Sequence, residues 1–253
     1  MLIDSHCHLD AAEFDADRDA VHAAALSVGV KRIVVPSVAV DGFKRVKTSV
    51  ARYPDCVAAY GIHPLFVTQA KETDLAVLRD WLVKEKPVAV GEIGLDFYLP
   101  DFDPVRQAFF FVEQLKLARE FNLPVLLHVR RSVDMVLKQL RRIKVPGGIA
   151  HTFNGSQQQA DEFIKLGFKL GFGGAMTYPG STRIRQLAAS LPLESIVLET
   201  DAPDMAPVWL NRGRNAPAEL PRIAQVLAEL RGLDVATVTA ATSLNACQVL
   251  PGI

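Results

Sequence analysis

Residues 2 to 8 read Leu2-Ile3-Asp4-Ser5-His6-Cys7-His8, an apolar run that closes on two histidines one residue apart. In extended backbone alternate side chains share a face, so His6 and His8 project together while Cys7 points the other way. Neutral imidazoles paired in this way are ready ligands for a transition metal. The pattern recurs along the chain. Later apolar runs also finish in ligand-type residues, at His63, Glu92, His128, His151 and Asp201. Of the six histidines, only His22 lies in a helix-type stretch.

Working outward from that first run, short β-type segments alternate with longer helix-type ones. The β-type runs are Leu2 to His6, Arg32 to Pro36, Val57 to Ile62, Val88 to Ile93, Val125 to Val129, Ile149 to Phe153, Lys169 to Gly173 and Ile196 to Thr200. They are nearly continuously apolar, as parallel strands buried on both faces should be. Amphipathic stretches lie between them, including Asp74 to Lys84, Pro104 to Phe121, Val133 to Ile143, Gln157 to Leu166 and Ser181 to Leu191. Pro104 suits a first helical turn, and Gly167 suits a helix stop. Eight such units predict an α/β protein of the (β/α)8 TIM-barrel type, one domain over residues 1–253. The tail supplies the last barrel helix, Leu220 to Leu230, and an extra C-terminal helix around Val235 to Leu250. In such barrels the active site lies at the C-terminal ends of the strands. That is where the ligand-type residues fall, so the chain reads as a metal-dependent hydrolase.

Composition narrows the function further. The 253 residues are 49% apolar and carry 28 basic and 28 acidic side chains. A net charge of zero creates no global field for nucleic acid or anionic membrane, so a polyanionic substrate would have to be gripped locally. Cys7, Cys56 and Cys247 are odd in number and widely spaced, which suggests reduced thiols and a cytoplasmic location. Asp4, His6, His8 and Asp10 stand where a signal peptide would need an apolar stretch. No membrane association and no obligate protein partner are expected.

The motifs DSHCHLD (Asp4 to Asp10), GIHP (Gly61 to Pro64), GEIGLDFY (Gly91 to Tyr98), LHVR (Leu127 to Arg130), HTFNGS (His151 to Ser156), ETDAPDM (Glu199 to Met205) and RNAP (Arg214 to Pro217) run nearly end to end. In this order they resemble the TatD family of metal-dependent deoxyribonucleases, within the wider amidohydrolase-like metal hydrolases. The resemblance implies a (β/α)8 hydrolase of phosphodiester bonds in DNA, a 3′→5′ exonuclease or a mixed DNase. It implies two divalent metal ions (magnesium, manganese or zinc): one held by His6, His8, Glu92 and Asp201, the second by Glu92, His128 and His151, with Glu92 bridging. Two close cations repel, and a shared carboxylate offsets that repulsion. A water between the metals would lose a proton and attack phosphorus, with Asp201 acting either as its base or as a plain ligand.

The resemblance sets His63 near the scissile phosphate and outside the metal shell, as a donor to phosphate or leaving group. Asp4 and Glu199, each two residues before a ligand, are expected to accept hydrogen bonds that orient histidines or arginines. Arg130, Arg131, Arg212 and Arg214 are candidates for gripping phosphate. Asn154 and Ser156 would donate to the nucleic-acid backbone or cap the next helix. Phe97, Tyr98 and Trp209 could stack on bases of a single strand. The family's usual acidic residue in the last motif is Ala216 here. DNA, engaged as a short single strand or 3′ end, is the expected partner, since few phosphate contacts suit a neutral protein. An amidase or esterase acting on a small molecule or aminoacyl ester is the alternative, because the same chemistry attacks carbonyls. A non-catalytic binder is disfavoured, because unpaired carboxylates and histidines are costly to keep in a pocket.

Overall fold

The computed structural model describes residues 1–253. Its eight strands are β1 (Leu2–Asp4), β2 (Val30–Pro36), β3 (Cys56–Tyr60), β4 (Ala89–Asp96), β5 (Val125–Arg130), β6 (Gly148–Ala150), β7 (Phe168–Phe172) and β8 (Ile196–Leu198). They pair in parallel in sequence order from β1 to β8. The seam between β8 and β1 is bridged by Ser5 N–H to the Leu198 carbonyl at 3.0 Å and Asp201 N–H to the His6 carbonyl at 2.8 Å. Nine helices surround the sheet: α1 (Arg18–Ser27), α2 (Phe43–Arg52), α3 (Asp74–Glu85), α4 (Pro104–Glu120), α5 (Val133–Arg142), α6 (Gln157–Lys165), α7 (Thr182–Ser190), α8 (Leu220–Arg231) and α9 (Val235–Val249). This is the (β/α)8 barrel that the alternation predicts. No helix is long and apolar enough to cross a membrane.

Local chemistry explains where the helices begin and end. Pro104 occupies the first turn of α4, and the Asp103 carboxylate accepts Arg106 N–H at 2.9 Å. Ser156 and Gln159 form a reciprocal capping box at the start of α6, satisfying two otherwise orphan donors. Gly167 follows α6 with φ +84°, a left-handed stop that glycine adopts without steric cost.

Two apolar layers build the core. Ile3, Val34, Ala59, Ala89, Leu126, Ile149 and Val197, one from each of seven strands, pack together inside the barrel with Ala246 and Val249 of α9 and Leu250 just after it. The extra C-terminal helix therefore plugs the end of the barrel opposite the ligand-bearing loops. Alternate strand residues such as Leu2, Ile33, Val90, Val125, Leu127, Ile196 and Leu198 face the helix shell instead. Counting in twos from the inner layer carries β3 to His63, β5 to His128, β6 to His151 and β8 to Asp201.

Strands β1 and β4 do not follow that count: on β1 it would carry Ile3 to Cys7, yet His6 and His8 face the cage. On β4, counting from Ala89 would turn Glu92 outward, but the ladder to β5 slips between Val90 and Ile93. After the slip Ile93 and Leu95 join the outer layer, leaving Glu92 and Asp96 facing in. Two glycines accommodate the bend. A Cβ on Gly91 would lie 2.6 Å from the Leu126 Cβ, and one on Gly94, at φ +149°, would lie 1.9 Å from the His128 carbonyl oxygen. Gly94→Ala is therefore expected to destabilise the fold by at least the ~1–3 kcal/mol usual for overpacking. Urea unfolding checks this, and an unchanged midpoint would contradict it.

All eight strands differ from the sequence reading by one to three residues at an end, and three of these differences bear on the donors. Strand β1 stops at Asp4, so His6 and His8 lie beyond it, on backbone held by Cys7 N–H to the Val34 carbonyl and His8 N–H to the Ala202 carbonyl. Their alternation persists: Cys7 is buried in the outer core while the imidazoles turn inward. Strand β6 ends one residue before His151, and Glu92 lies within its strand, not at its end.

Candidate metal centre

The inward residues of these strand ends converge on Glu92, which is almost fully buried. Its two oxygens face two different groups. Glu92 Oε2 is 3.2 Å from His6 Nε2 and 3.5 Å from His8 Nε2. Those two nitrogens are 3.3 Å apart, and Asp201 Oδ1 lies 3.6 and 3.8 Å from them. A tetrahedral shell with ligands at ~2.1 Å has edges of ~3.4 Å. The five separations from 3.2 to 3.8 Å match such a shell, so this donor set fits a divalent cation.

Glu92 Oε1 faces the other side. It lies 2.9 Å from His128 Nδ1 and 2.8 Å from His151 Nε2, and those nitrogens are 3.3 Å apart. These three separations are also within the range of ligands sharing one face of a coordination shell. His128 is oriented by Asp96, whose Oδ2 accepts from Nε2 at 2.9 Å. That bond puts the ring proton on Nε2 and leaves Nδ1 bare toward the cage. The sequence reading gave Asp96 no role. Its signal was position: four residues after Glu92 on one strand, it shares the same face.

His63 also reaches Glu92 Oε1, at 3.3 Å from Nε2. Its Nδ1, however, accepts Leu65 N–H at 3.1 Å, so the proton of the neutral ring must sit on Nε2. Burial lowers its pKa, although Glu92 pulls the other way. A neutral imidazole with Nε2–H is a donor and has no lone pair to give a metal there.

Charge in the cage is tightly coupled. Burial works against ionised Glu92, but His151, His63 and His6 together hold it well below the usual carboxylate range. Burial, aided by His151, pushes His6 down to about 3. Burial also opposes charge on His8 and His151, yet Glu92 and Asp201 raise them to about 9 and about 10. Without cations, protons on these two rings balance the buried carboxylates; a bound cation takes over that role.

Around the donors opens a cleft of about 1390 Å³, with His8, His63, Glu92, His128, His151 and Asp201 at its floor. Arg130, Arg131 and Arg183 line the same cleft. The Arg130 and Arg131 guanidinium carbons lie 3.5 and 4.7 Å from the Tyr98 ring centroid. Arg183, absent from the sequence reading, donates from Nε and Nη2 to Asn154 Oδ1 at 3.0 and 2.8 Å. Asn154 thus lines the cleft, while Ser156 is taken up as a helix cap.

Some candidates lie elsewhere. Arg214 does not line the cleft: it donates twice to the Asp17 carboxylate, at 2.9 and 2.6 Å, and to the Glu13 carbonyl. A guanidinium satisfied by a bidentate carboxylate has little left for phosphate. Its neighbour Asn215 is the informative member of that motif. Fully buried, it donates from Nδ2 to the carbonyls of Thr200 and Asp204, tying down the loop that carries Asp201. Arg212 borders a separate pocket beside the cleft. Trp209 donates to Glu219 and packs under Arg222, and Phe97 stacks on Phe102. Tyr98 alone of the three aromatics lines the cleft. Asp4 accepts from Thr200 N–H and hydroxyl at 2.9 and 2.6 Å, so it orients a backbone segment, not a histidine ring.

Relatives place this barrel and donor set in context. The family model described as TatD related DNase matches residues 3–251. An uncharacterized metal-dependent hydrolase of Escherichia coli K12, YjjV, is 42% identical over 233 residues, covering 91% of this chain and 90% of its own. The crystal structure of that homologue superposes with a TM-score of 0.95 over 98% of this chain and 97% of its own, at 39% identity. A protein of Cronobacter sakazakii named 3′-5′ ssDNA/RNA exonuclease TatD is 33% identical over 256 residues, with 98% and 97% of the two chains covered. With the family model spanning nearly the whole barrel and the donors gathered at its mouth, the chain belongs to the TatD family and is a metal-dependent hydrolase.

Proposed function

We propose that the protein cleaves phosphodiester bonds in DNA, working as a 3′→5′ exonuclease on a short single-stranded segment. The observation that carries this reading is the set of three arginines beside the donor cage in a chain of zero net charge. Asp10, Glu13, Asp134 and Asp204 line the same cleft, so the grip on phosphate is local to these guanidiniums, which a neutral ester would not need. The exonuclease name of the Cronobacter relative supports the same substrate class.

In this reading His6, His8, Glu92 and Asp201 would hold one divalent cation and Glu92, His128 and His151 a second. Cations bound there would supply Lewis-acid polarisation and an acidic water near neutral pH. The remaining work belongs to side chains. Arg130 and Arg131, steadied on Tyr98, grip phosphate oxygens. Asn154, its Oδ1 engaged by Arg183, has its Nδ2 to donate to the strand. His63 presents Nε2–H to a non-bridging oxygen or the leaving group. Asp201 lines the cleft, and burial raises its pKa, which suits a carboxylate that takes the proton of the attacking water.

The test is digestion of single-stranded DNA, duplex DNA, RNA and a generic aryl ester with Mn2+ or Mg2+, using Glu92→Ala as the blank. Mononucleotides released from single-stranded 3′ ends are expected. Ester turnover without nucleotide release would instead indicate an esterase. Arg130→Ala should raise KM for single-stranded DNA and flatten its log–log salt slope by ~0.7, the value of one phosphate contact. An unchanged slope would remove Arg130 from the substrate path.

A further inference from the structure

We propose that Thr152 is a positioning residue for the metal centre, its hydroxyl bridging the buried Glu199 carboxylate to the His151 ring. This rests on the reading of His151 as a ligand. The Thr152 Oγ1 atom lies 3.1 Å from His151 Nδ1 and 3.1 Å from Glu199 Oε1. Carboxylate and imidazole are themselves 3.9 Å apart, beyond direct hydrogen bonding. A hydroxyl has one proton and two lone pairs. Burial pushes the Glu199 carboxyl up to about 8. Its Oε1 already accepts Thr152 N–H, however, and is therefore an acceptor in either protonation state. The Thr152 proton thus goes to Glu199 Oε1, and an Oγ1 lone pair accepts Nδ1–H of His151. The ring is thereby held with Nε2, 2.8 Å from Glu92 Oε1, turned into the cage.

Backbone conformation supports this independently. Thr152 has φ +46°, a left-handed conformation that is a genuine outlier for a β-branched residue. Glycine or asparagine would sit there with less strain, yet the chain carries a threonine. What holds it is Glu199 again, whose Oε1 accepts Thr152 N–H at 2.5 Å. Strain of this kind persists where surrounding structure over-determines it, typically at functional sites. The neighbouring strand is cut to fit: a Cβ on Gly171 would lie 2.1 Å from Glu199 Oε2. Buried Gly171 and Glu199 and half-buried Thr152, at the cleft wall, thus form a line of support for one donor, where the sequence reading saw only Glu199.

The test separates the hydroxyl from the backbone. Thr152→Ser keeps the hydroxyl, Thr152→Val removes it and keeps the β-branch, and Thr152→Gly removes it while relieving the left-handed strain. Each metal-stripped protein is titrated with Mn2+ by calorimetry and unfolded thermally without metal. Thr152→Val and Thr152→Gly are both expected to bind Mn2+ about 10- to 100-fold more weakly, the usual cost of losing a ligand's supporting partner, with Thr152→Ser within about threefold of wild type. Thr152→Gly should nevertheless unfold at or above the temperature of Thr152→Val. Wild-type affinity in Val or Gly would overturn the relay and leave the metal centre standing. So would affinities that merely track thermal stability, since they would give Thr152 a structural role alone. Wild-type protein that takes up no Mn2+ would overturn the relay and the metal-centre reading together.

Discussion

Replacing Glu92 by glutamine is expected to lower turnover in the proposed hydrolysis of single-stranded DNA by more than the ~10²–10³-fold that removal of one preorganised electrostatic group costs. The substitution keeps the side-chain shape and changes two things. It removes a buried negative charge from between two donor groups, and it sets an N–H2 where an acceptor is required. One carboxylate oxygen lies within 3.5 Å of the His6 and His8 nitrogens and the other within 2.9 Å of those of His128 and His151, so one change damages both clusters. Single-turnover release of nucleotides with Mn2+, paired with metal content by elemental analysis, measures the loss. Activity within tenfold of wild type would place the chemistry at another centre.

Metal affinity is expected to climb steeply with pH, by about 100-fold or more per unit across the neutral range, because at least the two protons on His8 and His151 must leave. Hydrogen bonds to Asp96 and Glu92 raise His128 against its burial as well. His8 and His151 are raised to about 9 and about 10 in the metal-free cage, so both are charged at pH 7. Each must be neutral to ligate, and below its pKa each displaced proton contributes a factor of ~10 per pH unit. The stability of the metal-free protein should run the other way. A histidine raised on folding stabilises fully below its unfolded value of ~6.5, and that contribution is lost as pH rises through the folded value. For these two rings the loss falls between ~6.5 and about 9 to 10. Thermal unfolding of metal-free and Mn2+-loaded protein from pH 6.5 to 8.5 should therefore diverge, the loaded form gaining. Affinity that is flat over this span would mean that these rings do not ligate.

The barrel was readable because buried parallel strands and their helices leave an alternation of apolar runs that little else produces. The histidines were readable because barrel loops at one end carry function, which gives run-end positions a meaning. Contacts that depend on competition between partners were not. Arg214 and Arg130 look alike in a sequence, but Arg214 has the Asp17 carboxylate within reach and is consumed by it. Arg183 sits on α7, far in sequence from every motif, and reaches the cleft only because α7 packs beside the β6 loop that carries Asn154. Asp96, Asn215 and Thr152 act through other residues, and such roles have no signature beyond proximity.

Residue order alone therefore determined a (β/α)8 architecture and a set of imidazole and carboxylate donors distributed to the strand ends. The resemblance named Glu92 as a ligand, but tertiary structure alone decided how its side chain comes to face inward. Side chains alternate with a period of two, and that period is blind to a slip in the ladder; only the shifted pairing of β4 with β5 turns this carboxylate from the helix shell to the cage.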